Sequence, residues 1–130
     1  MKRKHVMLIC FMGFILMLGW SCAPSIITPD TGVYQYGTLY ATSSKDLTAV
    51  YDATLAAMAK FEFQITGKAK DAFFAKVDAK SADGMKIIVQ IKAGGKNRTD
   101  FLIKVESFNR ERSVLIFDEI QKHLGVKAKK

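Results

Sequence analysis

Phe73-Phe74-Ala75-Lys76-Val77-Asp78-Ala79-Lys80 leads through Ser81-Ala82-Asp83-Gly84 into Met85-Lys86-Ile87-Ile88-Val89-Gln90-Ile91-Lys92, and this stretch decides the fold. Side chains of a strand alternate between two faces, so Phe73, Ala75, Val77 and Ala79 share one side, with Phe74, Lys76, Asp78 and Lys80 on the other. After the turn the pattern repeats, with Met85, Ile87, Val89 and Ile91 against Lys86, Ile88, Gln90 and Lys92. Asp-Gly between two such runs is a hairpin signal, because Gly supplies the positive φ that a tight turn needs. One apolar and one largely polar face marks an antiparallel sheet covered on one side only.

The same period extends outward on both sides. Gly94-Gly95-Lys96-Asn97 makes a second turn, and Phe101, Ile103 and Val105 alternate with Asp100, Leu102, Lys104 and Glu106. Upstream, Phe63 and Ile65 alternate with Glu62, Gln64 and Thr66, and Gly37, Leu39 and Ala41 alternate with Thr38, Tyr40 and Thr42. Between these two strands the period changes to that of a helix. Ser43 or Ser44 caps it, Ser43 with Asp46 approximates a capping box, and Leu47, Val50, Tyr51, Leu55, Met58 and Phe61 form a stripe over about 45–60. A last helix is capped by Asn109 and closed by Gly125, with Ile116, Phe117, Ile120 and Leu124 facing inward. The order β-α-β-β-β-β-α predicts an α+β fold: an antiparallel sheet of about four to five strands with two helices on one face.

The chain has 130 residues, 49% of them hydrophobic, and a formal net charge of +8. Part of that charge belongs to the amino terminus. Lys2, Arg3 and Lys4 precede an uncharged run from Val6 to Trp20, the layout of a secretory signal. At ~1.5 Å per residue the run is shorter than the ~30 Å hydrocarbon core of a bilayer. Leu18-Gly19-Trp20-Ser21-Cys22 follows, a Cys directly after the apolar run with a small residue before it. It resembles a bacterial lipobox, although Gly19 and Trp20 stand where Leu and a small residue are usual. Ordinary cleavage at the small-x-small pattern Gly19-Trp20-Ser21 is the competing reading, and an uncleaved inner-membrane anchor is a third. Ordinary cleavage would leave Cys22 without a partner, since Cys10 lies in the signal, so lipidation of Cys22 is the reading adopted. Ala23 after the Cys favours the outer membrane, facing the periplasm, by resemblance to enterobacterial sorting.

The expected organisation is therefore a signal at 1–21, a lipidated Cys and flexible tether at 22–35, the domain at 36–125 and a basic tail at 126–130. Pro24, Pro29, Gly32, Ser25, Thr28 and Thr31 give the tether its composition. Lys127, Lys129 and Lys130 carry three more positive charges in the tail, so the domain itself is close to balanced. A nucleic-acid partner is excluded on that ground and by the export signal. Taken together, the lipobox-like start, the strand with Tyr36-Gly37, the Asp46-Leu-Thr-Ala-Val-Tyr-Asp-Ala-Thr54 helix, the Ala79-Lys-Ser-Ala-Asp-Gly84 hairpin and the short terminal helix are similar to a family of small bacterial envelope lipoproteins of unknown function. The resemblance runs from Cys22 to Leu124 and implies an envelope lipoprotein, with no activity or site residues to carry over.

Chemistry-bearing residues are sparse. His123 is the one His outside the signal, and its place in the last helical turn suits an interaction with the helix carboxy terminus. No metal site is expected without clustered His, Cys and carboxylates, and no cofactor is expected. Asp83-Gly84 lacks the other ligands of a calcium loop, and Ala93-Gly94-Gly95-Lys96 lacks the spacing of a phosphate-binding loop. The polar sheet face offers Lys68, Lys76, Lys80, Lys86, Lys92 and Lys104, interrupted by Phe74, Ile88 and Leu102. Of these, Lys76, Lys86, Lys104, Phe74, Ile88 and Leu102 form the expected binding face, with an envelope protein, a lipid headgroup or an anionic cell-surface polymer as its partner. The sequence thus predicts a non-enzymatic envelope module; a small hydrolase using sheet carboxylates is the alternative.

Overall fold

The computed structural model describes residues 30–126 apart from Lys96. The signal, Cys22, the first part of the tether and the basic tail beyond Val126 lie outside the described residues.

Six strands and two helices follow in the order β1 (Thr31–Gln35), β2 (Thr38–Ser43), α1 (Leu47–Lys60), β3 (Gln64–Lys70), β4 (Phe74–Lys80), β5 (Lys86–Ala93), β6 (Thr99–Val105) and α2 (Arg110–His123). All strands pair antiparallel in one open sheet of order β1-β2-β6-β5-β4-β3. Both helices pack on one face, α1 over β4 and β5 and α2 over β6 and β2. The expected α+β layering is the observed one, with one strand more than the five of the predicted order.

That extra strand is β1, where composition had placed the end of the tether. Thr31-Gly-Val-Tyr-Gln pairs residue by residue with β2. The connection is Tyr36-Gly37 alone, with φ of 50° and 78°. Two consecutive positive φ values make the tight primed turn whose twist matches a hairpin, and Gly37 is what allows it. At Gly32 the lack of a side chain lets Phe117 of α2 lie close against the strand.

Local chemistry sets the remaining boundaries. α1 is capped by Asp46, whose Oδ1 accepts from the Ala49 N–H at 2.8 Å, in place of Ser43 or Ser44. Ser43 Oγ instead accepts from the Lys45 N–H. Asn109 caps α2 as expected, accepting from the Arg112 N–H at 2.9 Å. Gly125 closes α2 at φ 73°, with the Gly125 N–H bonded to the Lys122 carbonyl and the Val126 N–H to that of Gln121. α1 ends by the same pattern of bonds, but there Glu62 holds the left-handed position at φ 57°. The β4–β5 hairpin turns through Ala82-Asp83-Gly84, with Gly84 at φ 88° and the Ser81 and Met85 backbones bonded across it.

The core lies between sheet and helices. Ile87, Val89, Ile91, Ile103 and Val77 on the sheet meet Val50, Met58, Ile116 and Ile120 on the helices, each at most 1% exposed. Full burial of such side chains is worth ~1.5–3 kcal/mol apiece. The most buried line of α1 runs through Val50, Ala53, Thr54, Ala57 and Met58, whereas Tyr51, Leu55 and Phe61 are half-buried at its margins. Small residues at the contact let the helix axis approach the sheet, which turns the expected stripe slightly. Phe73, expected to face the core, is 76% exposed. Asp71 Oδ1 accepts from the backbone N–H groups of both Phe73 and Phe74, and this turn leaves Phe73 outside the strand.

Candidate functional site

Among the described residues no element covers the sheet face opposite the helices, and the register fixes what it displays. Three rows cross it: Val33, Tyr40, Leu102, Gln90 and Lys76; Thr31, Thr42, Asp100, Lys92 and Phe74; and Gln35, Thr38, Lys104, Ile88 and Asp78. All six residues of the expected binding face therefore point to the same side. Lys86 stands one row beyond Ile88, opposite Lys80. Lys68 does not join them. A register shift between Ile65 and Gly67 pairs Lys68 with Val77 and Lys70 with Ala75, which places both lysines on the helix side at the sheet edge. Lys70 Nζ there sits 5.8 Å from the centroid of the Tyr51 ring.

The face is mixed in charge. Lys76 Nζ is 3.5 Å from Asp78 Oδ1, a half-exposed pair of the kind that adds little stability. Asp100 accepts from Thr42 Oγ1 at 2.9 Å and from Arg98 Nε at 3.2 Å. These carboxylates break the lysine field that the sequence suggests.

A groove of about 400 Å³ is cut into this face. Tyr40 and Phe74 stand at its two sides, three strands apart, or ~14 Å at ~4.8 Å per strand. Leu102 and Gln90 form its floor, and Lys92, Arg98 and Asp100 line one end. Phe74 and Leu102 are thus brought together in one cavity, while Lys76, Lys86, Ile88 and Lys104 lie outside its lining. Tyr40, Gln90, Arg98 and Asp100 complete the groove and were not singled out by the sequence. The alternation in β2 places Tyr40 on the polar face, but only the pairing of β2 with β6 reveals Leu102 as its neighbour. Among the described residues Gln90 and Lys92 make no side-chain hydrogen bond or ion pair, so an amide and an ammonium are available to a ligand there.

Elsewhere, polar groups are occupied by structural tasks. His123 Nε2 lies 3.2 Å from Glu119 Oε1, one turn back in α2. Asp83 accepts from the Arg112 guanidinium at 3.0 Å and from the Ser81 hydroxyl, and the two together hold its carboxyl at about 2. The Phe73 and Phe74 N–H groups lower the Asp71 carboxyl in the same way. Among the described residues no three His, Cys, Asp or Glu side chains gather as metal ligands would.

A family described as a protein of unknown function, DUF3568, matches residues 5–123. The chain belongs to the DUF3568 family. Its match takes in every strand and both helices of the six-stranded two-layer fold. No curated protein matches the chain.

Proposed function

We propose that this DUF3568 member is a lipid-anchored protein of the bacterial envelope whose domain binds a partner through the bare sheet face and performs no chemistry. The observation that carries the reading is the groove between Tyr40 and Phe74. It joins apolar surface at Leu102 to the free amide of Gln90 and the ammonium of Lys92, the mix of anchors and orienting polar groups that a binding site uses. A catalytic reading finds less support, because His123 is engaged by Glu119 and the groove carboxylate Asp100 by Thr42 and Arg98. Anchoring rests on the apolar run that ends at Cys22 and on that thiol having no partner outside the signal.

Mass spectrometry of the mature protein tests the anchor: an acylated Cys22 terminus is expected, and an intact Met1 or an unmodified Cys22 refutes it. A photo-crosslinking residue placed at Gln90 in cells tests the face, with one at Leu115 on the exposed side of α2 as control. Adducts at Gln90 alone, removed by Tyr40→Ala, are the expected result. Equal labelling at both positions, or none at Gln90, overturns the binding face. Lys76→Glu, Lys86→Glu and Lys104→Glu should weaken capture with a reduced salt response if the partner is anionic.

A further inference from the structure

The two edges of the sheet are built differently. Among the described residues no strand pairs with the outer side of β3 or of β1. A strand edge is a template for a further strand, and proteins blunt it with charges and bulges. β3 carries both: Lys68 and Lys70 stand on it, and its register shifts between Ile65 and Gly67. β1 carries neither. Thr31-Gly-Val-Tyr-Gln has no charged residue, and it pairs with β2 without a shift.

Apolar surface gathers at the same edge. The row Val33, Tyr40, Leu102, Gln90 and Lys76 is apolar toward β1 and polar toward β4. Val33 ends that row at 45% exposure, next to Tyr40 at 41%. Tyr36 at the hairpin tip and Phe108 over Gly37 are exposed as well. Among the described residues of this face, the charged side chains nearest to the edge are Lys104 and Asp100 of β6, two strands inside it. Asp30, at the start of β1, is turned onto the Ser44 hydroxyl.

We infer that β1 pairs antiparallel with β1 of a second copy of the chain, about a twofold axis at Val33, so that the two sheets become one. A second copy fits because the strand is its own complement. Pairing all five residues requires the axis at the third, which sets the two Val33 side chains against each other, Gly32 opposite Tyr34 and Thr31 opposite Gln35. No like charges meet, and the two Asp30 residues fall at opposite ends of the pairing. Residues opposite each other in an antiparallel pair point to the same face, so the bare faces of both copies lie on one side. Leu102, Tyr40 and Val33 of one copy then run directly into Val33, Tyr40 and Leu102 of the other, and the exposed end of each apolar row is covered. The pairing depends neither on lipid at Cys22 nor on a ligand in the groove.

Disulfide trapping in cells expressing the full chain tests this. With the native thiols removed by Cys10→Ser and Cys22→Ser, Val33→Cys should oxidise to a covalent dimer, because directly opposite Cβ atoms lie ~4.5–5.5 Å apart, close to disulfide reach. Ile65→Cys, on the β3 edge at 39% exposure, should remain monomeric. Sedimentation of the detergent-solubilised chain supplies the second measurement. The parent chain should form dimers, Val33→Lys and Val33→Glu should each weaken self-association about tenfold, and an equimolar mixture of the two variants should restore it. Recovery in the mixture also verifies that both variants fold. A monomeric parent chain, association unchanged in Val33→Lys, or no recovery in the mixture overturns the inference. So does equal trapping at Ile65 and Val33, or a Val33→Cys adduct with a different protein in place of a second copy.

Discussion

Replacing Gly37 by Ala probes the corner where the β1–β2 hairpin meets the turn before α2. Gly37 is buried, has φ 78°, and a Cβ built on it falls 1.9 Å from Phe108 Cδ1 and 2.6 Å from Cε1. Two costs follow. An L residue in the left-handed region loses ~1–2 kcal/mol, of which ~0.4–1 returns through the smaller entropy of the unfolded chain, leaving about 1 kcal/mol. The overlap moves the Phe108 ring, which is 70% exposed and gives way toward solvent at an off-rotamer cost of ~0.5–1.5 kcal/mol. Gly37→Ala alone should therefore lose about 1.5–2.5 kcal/mol. In a Phe108→Ala background the overlap is gone and the same change should cost about 1 kcal/mol, a coupling of about 0.5–1.5 kcal/mol. The Phe108 carbonyl still accepts from the Tyr34 hydroxyl at 2.8 Å in that background, so the turn keeps its tie to β1. Urea unfolding of the four proteins, followed by far-ultraviolet circular dichroism, measures the cycle. Additivity within ~0.5 kcal/mol would refute the placement of Phe108 on Gly37.

Glu62→Gly should stabilise by about 0.5–1 kcal/mol, because Glu62 holds the left-handed position at the end of α1 that Gly fills without strain; an unchanged denaturation midpoint rejects this. Ile103→Ala, in the central strand β6 at 0% exposure, should cost ~2–5 kcal/mol in the same assay, and a loss below 1 kcal/mol would mean the site collapses freely. The Asp83 carboxyl lies at about 2 in the fold against its ordinary value of 3.8, so its contribution is complete above about pH 4 and is lost as pH falls toward 2. Arg112→Gln should flatten the stability curve in that window, and an unchanged acid limb shows that the Arg112–Asp83 contact does not act in solution.

The meander was readable because alternation and turns are local. The faces of β4, β5 and β6, the hairpin at Asp83-Gly84, and the Asn109 and Gly125 caps all follow from residues within a few positions of one another. β1 was not, since Thr31-Gly-Val-Tyr-Gln is too short to alternate convincingly and its Gly and Thr read equally as linker. Lys68 changed sides because a single extra residue at Ile65–Gly67 inverts every side chain after it, and a bulge leaves no mark in hydropathy. The groove was half legible: alternation placed Phe74 and Leu102 on the bare face, but their meeting with Tyr40 depends on a strand order no local pattern encodes.

That strand order also governs when the domain can assemble. β2 has only β1 and β6 as neighbours, and its pairing partners in β6 lie about 60 residues further along the chain. A two-stranded hairpin is at best marginal by itself, so β1 and β2 have no sheet to join until β6 has been made. That hairpin therefore waits until α1 and the β3–β6 meander have formed. The pairing of the first strands with the last is then the long-range step that closes the sheet, and slowing of folding by changes at Leu39 or Ile103 would report on it.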